Sequence, residues 1–189
     1  MNFNRHSEIK DKHAILSPSR YHWIRYDAQK MSDVFYGYFA AERGTRLHAL
    51  AADCIRNGVK LEKRKKTLNL YVNDCVQEEM TAEQPLYYSR NCFGHADAIS
   101  FYNGSLKIFD YKTGSIPAHE EQLYIYAALF CLEYHVNPED ILIECRIYQN
   151  NGVTVYSPAP MDIRSIMNKI IDYDALIENI RMKEDEHDT

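Results

Sequence analysis

The chain has no run of 18 apolar residues, so no stretch of it is long enough to cross a bilayer as a helix. Its first residues, MNFNRHSEIKDKH, are polar and lack the apolar segment of a secretory signal. The five cysteines (Cys54, Cys75, Cys92, Cys131 and Cys145) are odd in number and widely spaced, and no CxxC pair occurs among them. That argues against a zinc knuckle and a disulfide framework, and leaves reduced thiols in a cytoplasm as the simplest account. There is no internal repeat, low-complexity block, dividing linker or P-loop. One domain over 1–189 is expected, with loosely ordered ends at 1–15 and 183–189.

What is present is globular in composition. Hydrophobic residues make up 46% and charged residues 26% of 189, enough to bury a core. Fifteen tyrosines suit core edges and grooves, where a ring packs and a hydroxyl stays polar. The net charge of −5 is unevenly spread: residues 1–66 hold 14 Lys and Arg against 7 Asp and Glu, and the remainder holds 8 against 20. A phosphate backbone responds to local potential, so the basic third can be its footprint. Lys60, Lys63, Arg64, Lys65 and Lys66 are the foremost candidates, with Arg20 and Arg25 behind them. The plain alternative is a solvated, charged connection.

Ser17 and Pro18 read as the start of a helix ending near Lys30, and a second helix is expected from about Tyr38 to Arg56, stopped by Asn57-Gly58. Residues 67–80 carry apolar positions at helical spacing. Strands are expected at 85–91 and 96–102, then, after the Asn103-Gly104 turn, at 105–111. A buried helix over 119–135, strands at about 141–149 and 152–156, and a helix over 162–182 complete the order. The fold class is α/β: a mixed sheet of about five strands flanked by helices.

The chemistry gathers at the central hairpin. Asp97 lies near its entry and Asp110 at its exit, on neighbouring antiparallel strands, so the two carboxylates can converge and offer oxygens to Mg²⁺ or Mn²⁺. Lys112, two residues past Asp110, falls on the same face of its strand. An ammonium there can orient water and offset charge in a phosphoryl transition state. Taken alone, Asp-x-Lys is equally a surface ion pair beside a turn.

The wider pattern is more specific. The segment GHADAISFYNGSLKIFDYKTG, followed by Gln122 and Tyr126 on the next helix, resembles the RecB-like, lambda-exonuclease-like branch of the PD-(D/E)XK nucleases. Gly44-Thr45-Arg46-Leu47-His48 resembles that branch's GxxxH element. The four elements stand in the family's order over residues 44–126.

The resemblance implies a restriction-endonuclease-like core and a Mg²⁺- or Mn²⁺-dependent deoxyribonuclease, with exonuclease action expected. His48, Asp97, Asp110 and the backbone carbonyl of Tyr111 would be metal ligands. Lys112 would assist the attacking water, and Gln122 and Tyr126 would position the lysine or the DNA strand. No iron–sulfur cluster is expected, because the last 44 residues contain no cysteine. The partner would be single- or double-stranded DNA, with no membrane, and with room for a homo-oligomer or a recombination or replication protein. Compact stand-alone domains of this kind resemble phage proteins, which points to a bacterial or phage-infected host cytoplasm. Two alternatives stay open: a non-catalytic nucleic-acid- or protein-binding module that keeps the fold, and an enzyme acting on RNA. Residue by residue, His48 can also be read as an interior histidine and Gln122–Tyr126 as an ordinary i,i+4 pair.

Overall fold

The structure is a computed structural model that describes residues 5–7 and 14–187. Of the expected loose ends, residues 1–4, 8–13 and 188–189 lie outside the described residues. The described chain falls into two compact units divided after Thr45.

The first unit holds a 3-10 helix, Pro18–Arg25, and the opening turns of α1, Ala28–Arg56. The expected α-helix from Ser17 to Lys30 is corrected here. Ser17 spends its hydroxyl on Ser19 and makes no side-chain cap, and Arg20 leaves helical geometry at φ −107° and ψ 39°. Trp23 pins the stretch by donating its indole N–H to the Ser17 carbonyl at 3.0 Å. The true helix start is Asp27, whose Oδ1 accepts the Lys30 N–H at 2.7 Å, satisfying one of the orphan donors of a helix N-terminus. α1 therefore begins ten residues earlier than its apolar stripe suggested. It ends as expected, with Gly58 at φ +64° in the left-handed conformation that glycine adopts without steric cost.

The second unit is built on a five-stranded mixed sheet in the order β1-β2-β3-β4-β5, flanked by helices. β1 (Thr81–Ser89), β2 (Cys92–Tyr102) and β3 (Ser105–Tyr111) form an antiparallel meander. β3 pairs in parallel with β4 (Leu142–Gln149), and β5 (Gly152–Tyr156) returns antiparallel at the edge. A parallel pair needs a crossover, supplied here by α3 (Glu121–Glu133). Asn103-Gly104 and Asn150-Asn151 hold positive φ at the two tight turns, the geometry that matches strand twist in two-residue hairpins. β1 begins four residues before the expected strand and carries Pro85, which an edge strand tolerates.

Each face of the sheet has its own core. On one, α3 and α4 (Pro160–His187) cover Leu86, Leu106, Ile108, Cys145 and Ile147. On the other, α2 (Thr67–Gln77) and the last turns of α1 cover Ala82, Ala98, Phe109, Tyr111 and Tyr148. α4 runs through residues 183–187, which corrects the expectation of a loose tail there. Its middle is tied to the β1–β2 turn: Ser89 and Asn91 bond Asp174 at 2.5 and 2.7 Å, and Arg90 pairs with Glu178. Hydrogen bonds from Arg90 and Asn91 hold the Glu178 carboxyl down to about 2. Among the described residues no helix is long and apolar enough to cross a membrane.

Phe109 is fully buried between β2 and β4, with the Arg146 guanidinium 4.6 Å from its ring centroid. Phe109→Ala should lower stability by about 3–5 kcal/mol, read as a reduced urea midpoint.

Candidate active site

His48 belongs to the same helical stripe as Ala51, Ala52 and Ile55, at spacings that share one face. Those alanines are 1% and 3% exposed and share one apolar cluster with Ala82 of β1 and Ala98 of β2. One turn earlier, His48 reaches β2: its Nδ1 stands 3.4 Å from Asp97 Oδ2. The Tyr111 ring lies between His48, at 5.1 Å, and Tyr71, on which it stacks at 5.3 Å and 14°. The Tyr111 N–H donates to Asp97 Oδ2 at 3.0 Å. Asp97 is therefore held by a backbone donor on β3 and by an imidazole on α1.

Asp110 is the penultimate residue of β3 and is only 2% exposed. Lys112 follows it, and its backbone N–H is anchored to the Tyr148 carbonyl on parallel β4 at 2.9 Å. The Lys112 ammonium lies 3.0 Å from both Asp110 oxygens but hydrogen-bonds Oδ1, leaving buried Oδ2 with no hydrogen-bond partner. The same ammonium donates to Gln122 Oε1 at 2.9 Å, and Gln122 Nε2 donates to the Tyr126 hydroxyl at 3.3 Å. Residues 122 and 126 are one helical turn apart on α3. A Cβ on Gly94 would stand 2.9 Å from Cε1 of Tyr126, so a glycine lets that ring close over β2. The connected set Gly94, Tyr126, Gln122, Lys112 and Asp110 thus joins β2, α3 and β3. Gln149 steadies the intervening loop, donating to the Gly114 and Ile116 carbonyls at 2.7 Å.

Charge is concentrated here. The hydrogen bond to Asp97 pushes the His48 pKa up against the opposing effect of burial, with help from the charges of Asp97, Glu83 and Asp110. Burial, and then the Asp97 charge, pushes the Asp110 carboxyl up, while Lys112 and His48 oppose the change. Tyr126 is pushed up chiefly by burial.

The expected residues do not all meet at one point. His48 and Asp97 come together, and a third donor joins them that the sequence reading missed: Glu83 of β1. Ligand atoms of His48, Glu83 and Asp97 all lie within 4.8 Å of one another. Asp110 lies outside that group and faces Lys112 instead. Tyr111 contributes its N–H and its ring. The signal for Glu83 was present only in the pairing: the register that matches Ala82 with Ala98 and Gln84 with Ala96 sets position 83 opposite Asp97. His95, two residues before Asp97, is exposed and is not part of this group.

Lys60, Lys63, Arg64, Lys65 and Lys66 are all exposed on the α1–α2 connection. That connection is fastened rather than loose. Leu61 exchanges backbone bonds with the Asn73 side chain at 2.7 and 3.1 Å, and Asn69 donates to the Glu62 carbonyl at 2.8 Å. Arg64 is partly engaged by Glu62 at 2.7 Å. Arg20 and Arg25 are exposed in the first unit. The cysteines are distributed through the structure: Cys131 and Cys145 lie in one core and Cys75 in the other. Burial pushes the Cys131 and Cys145 thiols up to about 11 and about 12, as for inert core residues.

The chain matches no family model, no curated protein and no solved structure.

The His48–Asp97 contact predicts a measurable titration. In metal-free protein, the His48 imidazole followed by NMR should titrate above an ordinary histidine. In Asp97→Asn the hydrogen-bonded charge that holds the proton is gone, so the His48 pKa should fall. An unchanged value would show that Asp97 is not its partner in solution.

Proposed function

We propose that this protein is a metal-dependent deoxyribonuclease working through the Asp-x-Lys arrangement of PD-(D/E)XK enzymes, with exonuclease action preferred. One observation carries the reading: Lys112 bridges Asp110 and Gln122 at 3.0 and 2.9 Å, beside the Asp97 of β2 that His48 of α1 contacts at 3.4 Å. An ordinary surface ion pair leaves its acid in water. Here the acid is 2% exposed, a position that costs free energy unless its charge is paired.

The donors fit a hard or borderline divalent cation. Carboxylates and one imidazole suit Mn²⁺ or Mg²⁺, and Asp97 Oδ2 already collects the Tyr111 N–H and the His48 imidazole at 3.0 and 3.4 Å, so its other oxygen is left for a cation. His48 and Asp97 would hold the ion, with Asp110 and the Tyr111 carbonyl as the further ligands that the resemblance implies. Such an ion supplies Lewis-acid polarisation of a phosphate and a water of lowered pKa. The protein's own part is positional. Gln122 and Asp110 fix the Lys112 ammonium beside the scissile phosphate, where its charge offsets the extra negative charge of the transition state and its protons orient the attacking water. Tyr126 braces Gln122 and presents a hydroxyl to the strand.

Cleavage of linear duplex, linear single-stranded and closed circular DNA tests the reading. Activity should appear with Mn²⁺ or Mg²⁺, vanish with excess chelator, and favour ends. Asp110→Ala should abolish it, and Lys112→Ala should reduce kcat by about 10²-fold or more while sparing DNA affinity. DNA that is bound but never cut in Mn²⁺ would make the chain a binding module instead.

DNA capture by an acidic protein needs a basic surface, and the exposed run Lys60–Lys66 is proposed to supply it through phosphate contacts without base readout. The triple variant Lys63→Ala, Arg64→Ala, Lys65→Ala should bind DNA more weakly and flatten the salt dependence by up to about three counterions, with kcat at saturating DNA preserved. Normal binding across a salt series would reduce the run to a solvated loop.

A further inference from the structure

We infer that Glu83 is a cation ligand, forming with His48 and Asp97 a three-donor set for a divalent ion. The inference deepens the proposed function, since it concerns the same site, but cation capture does not itself require DNA cleavage.

Three observations carry it. The first is placement. Ala82 faces Ala98 and Gln84 faces Ala96, which sets position 83 opposite Asp97. The β2–β3 ladder ends at Ala98 and Phe109, so Asp97 and Asp110 are the next residues beyond it and the three positions form a row across β1, β2 and β3. All three are acidic, and like charges directly opposite on adjacent strands are destabilising. His48 answers this row on one side and Lys112 on the other. Lys112 is committed to Asp110 and Gln122, which leaves Glu83 and Asp97 with a single imidazole between them.

The second is the backbone. Glu83 sits in mid-strand at φ +53°, a left-handed conformation that costs a non-glycine residue about 1–2 kcal/mol. It coincides with a break in strand alternation. Ala82 and Ala98 face the core under α1 and α2, whereas Leu86 and Ala96 face the core under α3. The kink re-aims residue 83 at the point where the sheet changes face, within 4.8 Å of donor atoms on both neighbours. Among the described residues the Glu83 carboxylate has no hydrogen bond or ion pair. A strained residue whose side chain is spent on nothing else is suited to a ligand role.

The third is independent of Glu83. Asp110, next to Asp97, is 2% exposed and holds the Lys112 ammonium 3.0 Å from both of its oxygens. The lysine's charge is therefore already taken by a buried carboxylate, and Glu83 and Asp97 must be answered by another cation.

Glu83→Asn separates ligation from folding, because asparagine accepts positive φ better than glutamate does and lacks the charge. Glu83→Gln keeps the shape instead. With full-length protein and Mn²⁺ alone as probe, binding is followed by electron paramagnetic resonance of free Mn²⁺ and by the thermal midpoint with and without the ion. The metal-free Glu83→Asn protein should melt at or above the native temperature. Both variants should bind Mn²⁺ at least about tenfold more weakly and lose most of the Mn²⁺-induced rise in Tm. Glu79→Gln, an exposed neighbour outside the group, should bind as the native protein does. Native-like Mn²⁺ affinity in both Glu83 variants, or no Mn²⁺ binding by the native protein, overturns the inference. Cleavage by a protein whose affinity ignores Glu83 removes this inference alone. Glu83-dependent binding in a protein that cuts no DNA removes only the nuclease reading.

Discussion

A carboxylate sealed inside a protein must be neutralised, and Asp110 imposes that requirement on everything around it. It lies at the end of the central strand of the sheet, 2% exposed, where burial and the charge of Asp97 both oppose its ionisation. Lys112 answers with an ammonium at 3.0 Å. Lysine has a long flexible stem, and it is restrained at both ends: its N–H by Tyr148 on β4 and its ammonium by Gln122 on α3. Gln122 leans on Tyr126, and Tyr126 fits only because Gly94 has no Cβ. Lys112, Tyr148, Gln122, Tyr126 and Gly94 therefore serve one charge.

The sheet's topology explains why this assembly is possible. Antiparallel β1, β2 and β3 bring Glu83, Asp97 and Asp110 level with one another, and the parallel step to β4 sends the chain through α3. The helix then returns across the strand end and delivers Gln122 and Tyr126 to it. On the opposite face, the small stripe of α1 brings His48 down to Asp97. Helices on the two faces thus approach the same strand ends from opposite sides. The break in alternation at Glu83 and Asp97 opens the meander at that place, so side chains from both faces can reach one another. Regular pleating would have kept them on separate sides.

Two consequences follow for how such a protein works. The restrained lysine has little conformational freedom left to lose when a phosphate arrives, which is the physical content of preorganisation. In the proposed reading the acidic cluster would repel a bare phosphate, so a cation would precede or accompany DNA, and the exposed basic connection between α1 and α2 would be the complementary surface. That connection is pinned to α2 by Asn69 and Asn73, so its charges project from a fixed base.

Much of this was legible in the sequence because it depends on local rules. Asn103-Gly104 demanded a tight turn, the alternation around it demanded strands, and the Asp-x-Lys spacing placed two side chains on one strand face. The five-stranded α/β sheet and the stop of α1 at Gly58 followed from the same kind of signal. Other features had no local signature. Asp27, a capping aspartate outside any apolar stripe, moved the start of α1. The early strand Thr81–Gln84 lacks apolar alternation and owes its existence to pairing with β2. Glu83 is the sharpest case. In the sequence it is one acid among many, and only strand register sets it opposite Asp97, while a left-handed backbone angle turns it toward His48. Residue types and short spacings were enough to nominate a carboxylate–lysine centre. Which carboxylate stands beside the histidine, and which is spent on the lysine, was decided by tertiary pairing, because contacts between strands depend on register that no single segment encodes.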